Sequence, residues 1–498
     1  MAAPVDDLGM QARLRPGALA VADLTTDRRW TYAEFDGAVA RCAGALASRG
    51  VTAGDRVASL SKNCAELVML HLACARLGAI YVPLNWRLAV HELEGLIEDA
   101  DPALLVEGED LENAVFDGVP MSAFRKEIVA AAPFCGGLIG REKPSLILYT
   151  SGTSGKPKGA LLSERNLAET AINFSILGAV NETSVFLCDS PMFHIIGLIT
   201  NVRPPMMRGG SLLISDGFIP ERTLARLADP ALKVTHYFGV PQMAQVLRAH
   251  PDYDPDKLRG LTALFTGGAP HPAANIRAWL GDGIPVVDGF GMSEAGTVFG
   301  MPVDPEIINR HAGSVGVATP RIKARIVDAD GADIAVGEAG ELVLKGDNIT
   351  QGYWRREKET KEAFTEDGWF RTGDIARMND EGFYWLVDRR KDMFISGGEN
   401  VYPAEIEAVV AGVNGVKEAA VVGVPDEKWG EVGYLFWVPH DGAKIDLADI
   451  QKALHESVAR YKIPKHYSQI DALPRNGAGK VLKTALRETA AAKAAAGA

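Results

Sequence analysis

Two hydrophobic periodicities alternate along most of the chain. Near the start, Thr31-Tyr32-Ala33-Glu34 reads as a helix entrance. The threonine accepts from a free first-turn amide, and the glutamate three residues on reaches back. Phe35, Val39, Cys42 and Leu46 then fall on one helical face, and Gly50 ends the run. Residues 56–60 predict a strand, 65–77 a helix and 79–83 a second apolar strand. Strands separated by helices predict α/β layers with parallel strands. The rhythm returns between about 161 and 290, with strands expected at 185–187, 211–214, 234–240, 261–266 and 285–287.

Beyond about 310 the pattern changes. Short alternating runs at 324–327, 341–344 and 384–387, separated by Gly and Asp, predict a small antiparallel sheet or barrel. The polar stretch 388–392 marks a domain boundary. After it, a helix at 403–411, strands at 418–423 and 434–438, and a helix at 447–459 predict a separate α+β domain of about 100 residues. The Ala/Lys-rich tail beyond Arg487 is expected to fray.

Composition narrows the function. The 498 residues suggest about two to four domains. With 47% hydrophobic and 23% charged residues, the chain can bury a large core. A net charge of −12 argues against coating DNA or an anionic membrane, while leaving room for a local polyanion site. Cysteines 42, 64, 74, 135 and 188 form no C-x-x-C pair, which points to reduced thiols in a cytoplasmic protein. The first seven residues carry two acids and no apolar core of a secretory signal. The most apolar stretch, 67–82, is interrupted by His71 and Arg76 and is too short to span a bilayer.

The densest chemistry lies in Leu148-Tyr149-Thr150-Ser151-Gly152-Thr153-Ser154-Gly155-Lys156-Pro157-Lys158-Gly159. An apolar strand feeds a loop of glycines, hydroxyls and two lysines. Glycine lets backbone amides turn towards an anion, the hydroxyls add donors and the lysines add charge. The implied ligand is a polyphosphate. Pro157 stands where a Walker A loop needs its glycine, so a P-loop kinase is disfavoured. Glu294 likewise breaks Gly289-Phe290-Gly291-Met292-Ser293-Glu294 as a dinucleotide fingerprint.

The loop resembles the signature of the adenylate-forming superfamily of acyl-CoA synthetases, peptide-synthetase adenylation domains and luciferases. The resemblance covers about 30–487, through Pro191-Met192-Phe193-His194, Gly267-Gly268-Ala269-Pro270, Gly289 to Glu294 and Gly340-Glu341-Leu342. It continues through Gly368-Trp369-Phe370-Arg371-Thr372-Gly373-Asp374, Asp388 to Asp392, Ser396 to Glu407 and Pro474 to Lys480. It implies ATP, Mg²⁺ and coenzyme A, and a reaction that forms an acyl-AMP before a thiol displaces AMP. It also implies a large domain (1–388) of layered α/β sheets plus a small β-barrel, a hinge (389–391) centred on Lys391, and a smaller mobile α+β lid (392–498).

By the same resemblance, Thr150, Ser151, Gly152, Thr153, Ser154, Gly155 and Lys158 hold phosphates, and Glu294 serves Mg²⁺. Gly268, Ala269 and Pro270 face adenine, with Asp288, Gly289, Phe290, Gly291, Met292 and Ser293 alongside. Asp374 and Arg389 take the ribose. Lys480 bridges the carboxylate and the α-phosphate, and Thr153, Glu294 and His194 complete the catalytic set. Ser396, Gly397, Gly398 and Glu399 form the pantetheine tunnel after the swing.

The acyl pocket implied by the resemblance comprises His194, Ile196, Thr200, Phe238, Gly239, Gly267, Gly291, Met292, Thr297 and Val298. This largely apolar set suits an aromatic, hydroxycinnamic or medium-to-long aliphatic acid. Arg203 follows Ile196 and Thr200 at helical i, i+4, i+7 spacing, so it either anchors a distal carboxylate at the pocket's end or packs elsewhere. Three readings stand. They are an acyl-CoA ligase (with a dicarboxylate version using Arg203), an adenylation enzyme that loads a carrier protein, and a non-catalytic binding protein. Glu294, Asp374, Arg389 and Lys480 together disfavour the last. The run His236-Tyr237-Phe238-Gly239 lacks the acid that would hold an amino-acid ammonium. Partners are a small carboxylic acid, ATP and CoA, with no nucleic acid and no integral membrane association. A homodimer is compatible with the sequence.

Overall fold

The computed structural model describes residues 6–496, apart from 112–114, 137–139, 151–156, 270, 390–391, 397–398, 427–428, 459 and 476–480. Local signals act as read. Glu34 N donates to Thr31 Oγ1 at 3.3 Å and Thr31 N donates to Glu34 Oε2 at 2.8 Å, closing the capping box of helix Tyr32–Ser48. Strands Arg56–Leu60 and Ile80–Leu84 pair in parallel, with helix Ala65–Leu77 between them. Every residue of that helix is buried, so its charges need partners. Glu66 takes Arg28 at 2.5 Å and Arg125 at 2.9 Å, and the two guanidiniums hold its carboxyl at about 2 against the burial penalty.

Two mostly parallel sheets carry the α/β layers. The six-stranded sheet runs Val119–Pro120, Leu104–Glu107, Arg56–Leu60, Ile80–Leu84, Pro144–Thr150, Lys158–Ser163, and its last pair is antiparallel. The nine-stranded sheet runs Val317–Ala318, Gly296–Gly300, Val286–Met292, Ala263–Gly267, His236–Gly239, Val185–Cys188, Ser211–Ile214, Leu19–Asp23, Arg28–Thr31. Its central strands are parallel, and antiparallel pairs close both ends. A four-stranded half-barrel follows, in the order Ile322–Val327, Ala339–Gly346, Phe370–Met378, Tyr384–Arg389.

The chain divides into two compact units. One comprises Met1–Ala324, Leu344–Phe370 and Glu381–Tyr384; the other comprises Arg325–Val343, Arg371–Asp380 and Trp385–Ala498. In the second, a five-stranded sheet centred on the antiparallel pair Val416–Asp426 and Gly430–Pro439 packs Val421 and Leu435 against Ile406, Val410, Ile450 and Leu454. The tail corrects the sequence expectation. Instead of fraying beyond Arg487, Lys483–Ala496 is a helix, because Leu486 and Ala490 bury against Val422, Tyr434 and Phe436.

Candidate active site

The loop rich in glycine and hydroxyls joins an antiparallel pair in which Thr150 faces Lys158 and Tyr149 faces Gly159. Ser151, Gly152, Thr153, Ser154, Gly155 and Lys156 lie outside the described residues. At the loop's root, Thr150 Oγ1 donates to Lys158 O at 3.3 Å, and the Lys158 ammonium stands 5.3 Å from the ring centre of Tyr353. Glu294 is buried, and its Oε1 accepts from Tyr353 Oη at 3.0 Å. The lysine expected to hold phosphate and the carboxylate expected to serve the metal thus share one tyrosine.

The strands Ala263–Gly267 and Val286–Met292 run in parallel, with Thr266 beside Asp288 and Gly267 beside Gly289. Open α/β sheets bind ligands beyond the carboxyl ends of such strands. Thr266 Oγ1 donates to Asp288 Oδ1 at 2.8 Å. It also lies 3.0 Å from His271 Nδ1. Burial lowers His271 to about 4, so the imidazole is neutral. Burial also raises Asp288 to about 8, although the Thr266 bond and the Gly289 amide oppose it, so this carboxyl is protonated at neutral pH. The unfolded chain ionises Asp288 from about pH 4 upwards. Asp288's contribution to wild-type stability therefore falls as pH rises from about 4 to about 8 and is level above that. The melting-temperature gain of Asp288→Asn is expected to grow across that window. A gain equal at pH 4 and pH 8 contradicts the assignment.

Beyond Asp288, the antiparallel turn of the sheet sets the glycines. A Cβ on Gly291 would run into the Gly296 carbonyl, and one on Gly296 (φ +60°) into Thr170 Oγ1. These positions are closed by packing before any ligand arrives. Phe290 is buried, Met292 pairs with Gly296, and Gly291 faces Thr297.

The acyl-pocket candidates converge in part. Ile196 Cδ1 and Val240 Cγ1 lie 3.8 and 3.9 Å from the Cβ position of Gly268, and Phe238 Cζ lies 3.5 Å from that of Gly267. Thr200 and Val298 are buried. Gly239 sits against Met243, and Phe238 stacks on Phe174 at 5.8 Å. His194 packs edge-on to Phe193, with ring centres 4.5 Å apart. Burial first, and then the Arg87 charge, lower it to about 4, so it stands as a neutral imidazole.

In the second unit, Asp374 is buried one residue after Gly373 (φ +70°). Its amide donates to Thr372 Oγ1 at 3.0 Å, and that hydroxyl donates to Leu342 O at 2.8 Å. Arg371 pairs with Glu341 at 2.8 Å. Arg389 ends its strand, and Ser396 pairs with Glu399 across two short strands. Pro270, Lys391, Gly397, Gly398 and Lys480 lie outside the described residues.

Residues 8–354 match the AMP-binding enzyme family, and 405–480 match the AMP-binding enzyme C-terminal domain. The chain belongs to the AMP-binding enzyme family. It is 38% identical over 481 residues to a feruloyl-CoA synthase of an Amycolatopsis species, covering 96% of this chain and 97% of that one. It is 36% identical over 502 residues to the long-chain-fatty-acid–CoA ligase FadD13 of Mycobacterium tuberculosis, covering 97% of each. The crystal structure of ATP-bound MatB from Rhodopseudomonas palustris superposes with a TM-score of 0.88 at 32% identity, covering 97% of this chain and 98% of that one. This AMP-binding enzyme is an AMP-forming acyl-CoA synthetase, an ATP-dependent ligase that works through an acyl-adenylate.

The synthetase does not use Arg203 as a pocket group, which corrects one of the two placements allowed by sequence. The helical spacing assumed from Ile196 onward fails because Ile196–Thr200 is a π-helical turn, with Asn201 N donating to Ile196 O at 3.0 Å. Arg203 opens a new helix, Arg203–Arg208. It is buried there, with Nη2 donating to Glu164 Oε1 and facing His71 Nε2, both at 2.8 Å. Arg203→Leu is expected to leave acid preference unchanged. It should cost about 3–5 kcal/mol in denaturant unfolding, because Glu164 remains buried without its cation. Lost preference for distal-polar acids in a stable variant would restore the pocket role.

Tyr353, Thr266 and His271 were not legible as site residues of this enzyme. Tyr353 meets Glu294 far away in the chain, Thr266 meets Asp288 on the neighbouring strand, and His271 is set only through Thr266, so no motif spacing marks them.

Proposed function

We propose that the synthetase activates an aromatic, hydroxycinnamic or medium-to-long aliphatic monocarboxylic acid. The observation that carries this reading is the apolar lining that Ile196, Val240 and Phe238 give to the space on the Cβ side of Gly267 and Gly268, next to the Asp288 strand. With Arg203 paired to Glu164, that arginine lends no support to a dicarboxylate substrate. Relatives named for ferulate and for long-chain fatty acids fit the same class.

In the proposed mechanism, Thr150, Lys158 and the loop 151–155 hold the β- and γ-phosphates. Asp374 and Arg389 hold the ribose. Gly268, Ala269 and Pro270 face adenine, and Asp288 faces its amino edge. Lys480 draws the acid's carboxylate to the α-phosphorus; oxygen attacks there and pyrophosphate leaves. The chain then turns about Lys391, in a lid domain running from 392. Lys480 withdraws, and Ser396, Gly397, Gly398 and Glu399 admit the thiol, whose sulfur attacks the acyl carbon and expels AMP. A neutral His194 packs against the acid without competing for its charge.

The donor set at Glu294 fits a magnesium ion. It is a hard carboxylate oxygen, and among the described residues no group of three His, Cys, Asp or Glu side chains forms a metal cage. Mg²⁺ is usually held by one or two carboxylates plus substrate phosphates. When bound, the ion would neutralise phosphate charge. Among the described residues no helix is long and apolar enough to cross a membrane. The proposal places the enzyme in the cytoplasm, as a monomer or homodimer.

The test is product analysis with ATP, Mg²⁺, CoA and a panel of C6–C16 fatty acids, benzoates, hydroxycinnamates and dicarboxylates. AMP, pyrophosphate and acyl-CoA from one monocarboxylate class is the expected result. AMP and pyrophosphate without acyl-CoA would transfer the reading to a carrier-protein thiol. Preference for dicarboxylates would overturn the pocket assignment.

A further inference from the structure

Segment 350–354 is held to the phosphate-loop hairpin by backbone bonds. Leu161 N donates to Gly352 O at 3.0 Å, Trp354 N donates to Gly159 O at 2.8 Å, and Tyr353 bridges to Ala160. Thr350 N donates to Glu294 O at 2.6 Å, which ties the same segment to the other side of the site. Tyr353 N donates to Thr360 Oγ1 at 2.9 Å. Gly352 has φ +137°, and a Cβ there would strike Thr360. The backbone that carries Tyr353 is thereby fixed on both sides.

Its side chain meets two groups of opposite charge. The hydroxyl donates to Glu294 Oε1 at 3.0 Å, and the ring face lies 5.3 Å from the Lys158 ammonium. Among the described residues, Lys158 and Glu294 form no salt bridge with each other. An ammonium and a buried carboxylate that both touch one tyrosine attract each other. A direct pair would neutralise both groups before ATP arrives. A tyrosine satisfies each with a different part of itself, its donor edge for the anion and its π face for the cation.

We propose that Tyr353 is a positioning residue. It separates Glu294 from Lys158, so that the carboxylate stays oriented for the metal and the ammonium stays available to phosphate. This rests on the assignment of Glu294 and Lys158 above.

The test uses full-length Tyr353→Phe, Tyr353→Leu and Tyr353→Leu/Glu294→Gln. ATP binding is measured by calorimetry in EDTA. Mn²⁺ binding is measured by paramagnetic resonance on enzyme saturated with α,β-methylene-ATP, which cannot release pyrophosphate. Tyr353→Phe keeps the ring and loses the donor. It is expected to bind Mn²⁺ roughly tenfold more weakly, the usual cost of losing a partner that orients a metal ligand, with metal-free ATP affinity unchanged. Tyr353→Leu loses the spacer as well, and its metal-free ATP affinity should fall about threefold to fivefold. Adding Glu294→Gln removes the anion that captures the lysine, so metal-free affinity should return to the Tyr353→Phe value.

Unchanged Mn²⁺ affinity in Tyr353→Phe, equal metal-free ATP affinity in Phe and Leu variants, or no rescue by Glu294→Gln would each overturn the proposal. These readouts need neither an acid nor CoA, so they stand apart from the substrate assignment. A wild-type enzyme that binds no ATP would instead overturn the assignment of the site itself.

Discussion

Lys480→Ala will lose acyl-AMP formation by roughly 10²–10³-fold, the scale seen when one group aimed at transition-state charge is removed. Thioester formation from supplied acyl-AMP will run at the wild-type rate. The first half-reaction brings a carboxylate against a triphosphate, and a cation between them lowers a repulsion that grows as the atoms approach. The second half-reaction starts from a neutral acyl carbon already joined to phosphate, where that repulsion is gone. Pyrophosphate release and acyl-CoA formation, followed separately, check the split. Equal loss in both would show that Lys480 supports the fold or binds substrate in both steps.

Lys391→Pro will show the opposite split. Proline fixes φ near −65° and restricts the residue before it, so a junction that must change dihedral loses that freedom. Adenylation will stay within a few-fold of wild type, and thioester formation will fall by about 10²-fold, the cost of presenting reacting groups about 1 Å out of place. Single-turnover measurement of each half-reaction checks this. Uniform slowing would remove Lys391 from the hinge role.

The parts legible in sequence are those governed by neighbours in the chain. The Thr31 capping box and helix Ala65–Leu77 needed only local spacing. The strands Ala263–Gly267 and Val286–Met292 did as well, although the second runs beyond the expected 285–287, to Met292, because it continues into an antiparallel turn. Strand Phe370–Met378 passed unread as a strand because its Arg-Thr-Gly-Asp run masks the alternation. The tail's helix was hidden for a different reason. Alanine carries little apolar signal, and only contact with Phe436 and Tyr434 shows that Leu486 and Ala490 face a core. In the site, the phosphate loop stood out because backbone amides can approach an anion only where side chains are small. Tyr353 did not, because its meaning depends on two residues far from it in sequence and on a cross-strand bridge.

The π turn at Ile196–Thr200 makes the proposed wall of the acyl pocket sensitive to chain length as well as to side-chain identity. Such a turn is an α-helix with one residue inserted, and each helical residue advances about 100° around the axis. Deleting one residue there would restore the ordinary pitch and rotate the turn's preceding face by about that angle. Ile196 would leave Gly268, and a neighbour would take its place without any substitution elsewhere. Substrate range in such a wall can therefore be altered by indels, whose effects a comparison of pocket residues position by position would miss.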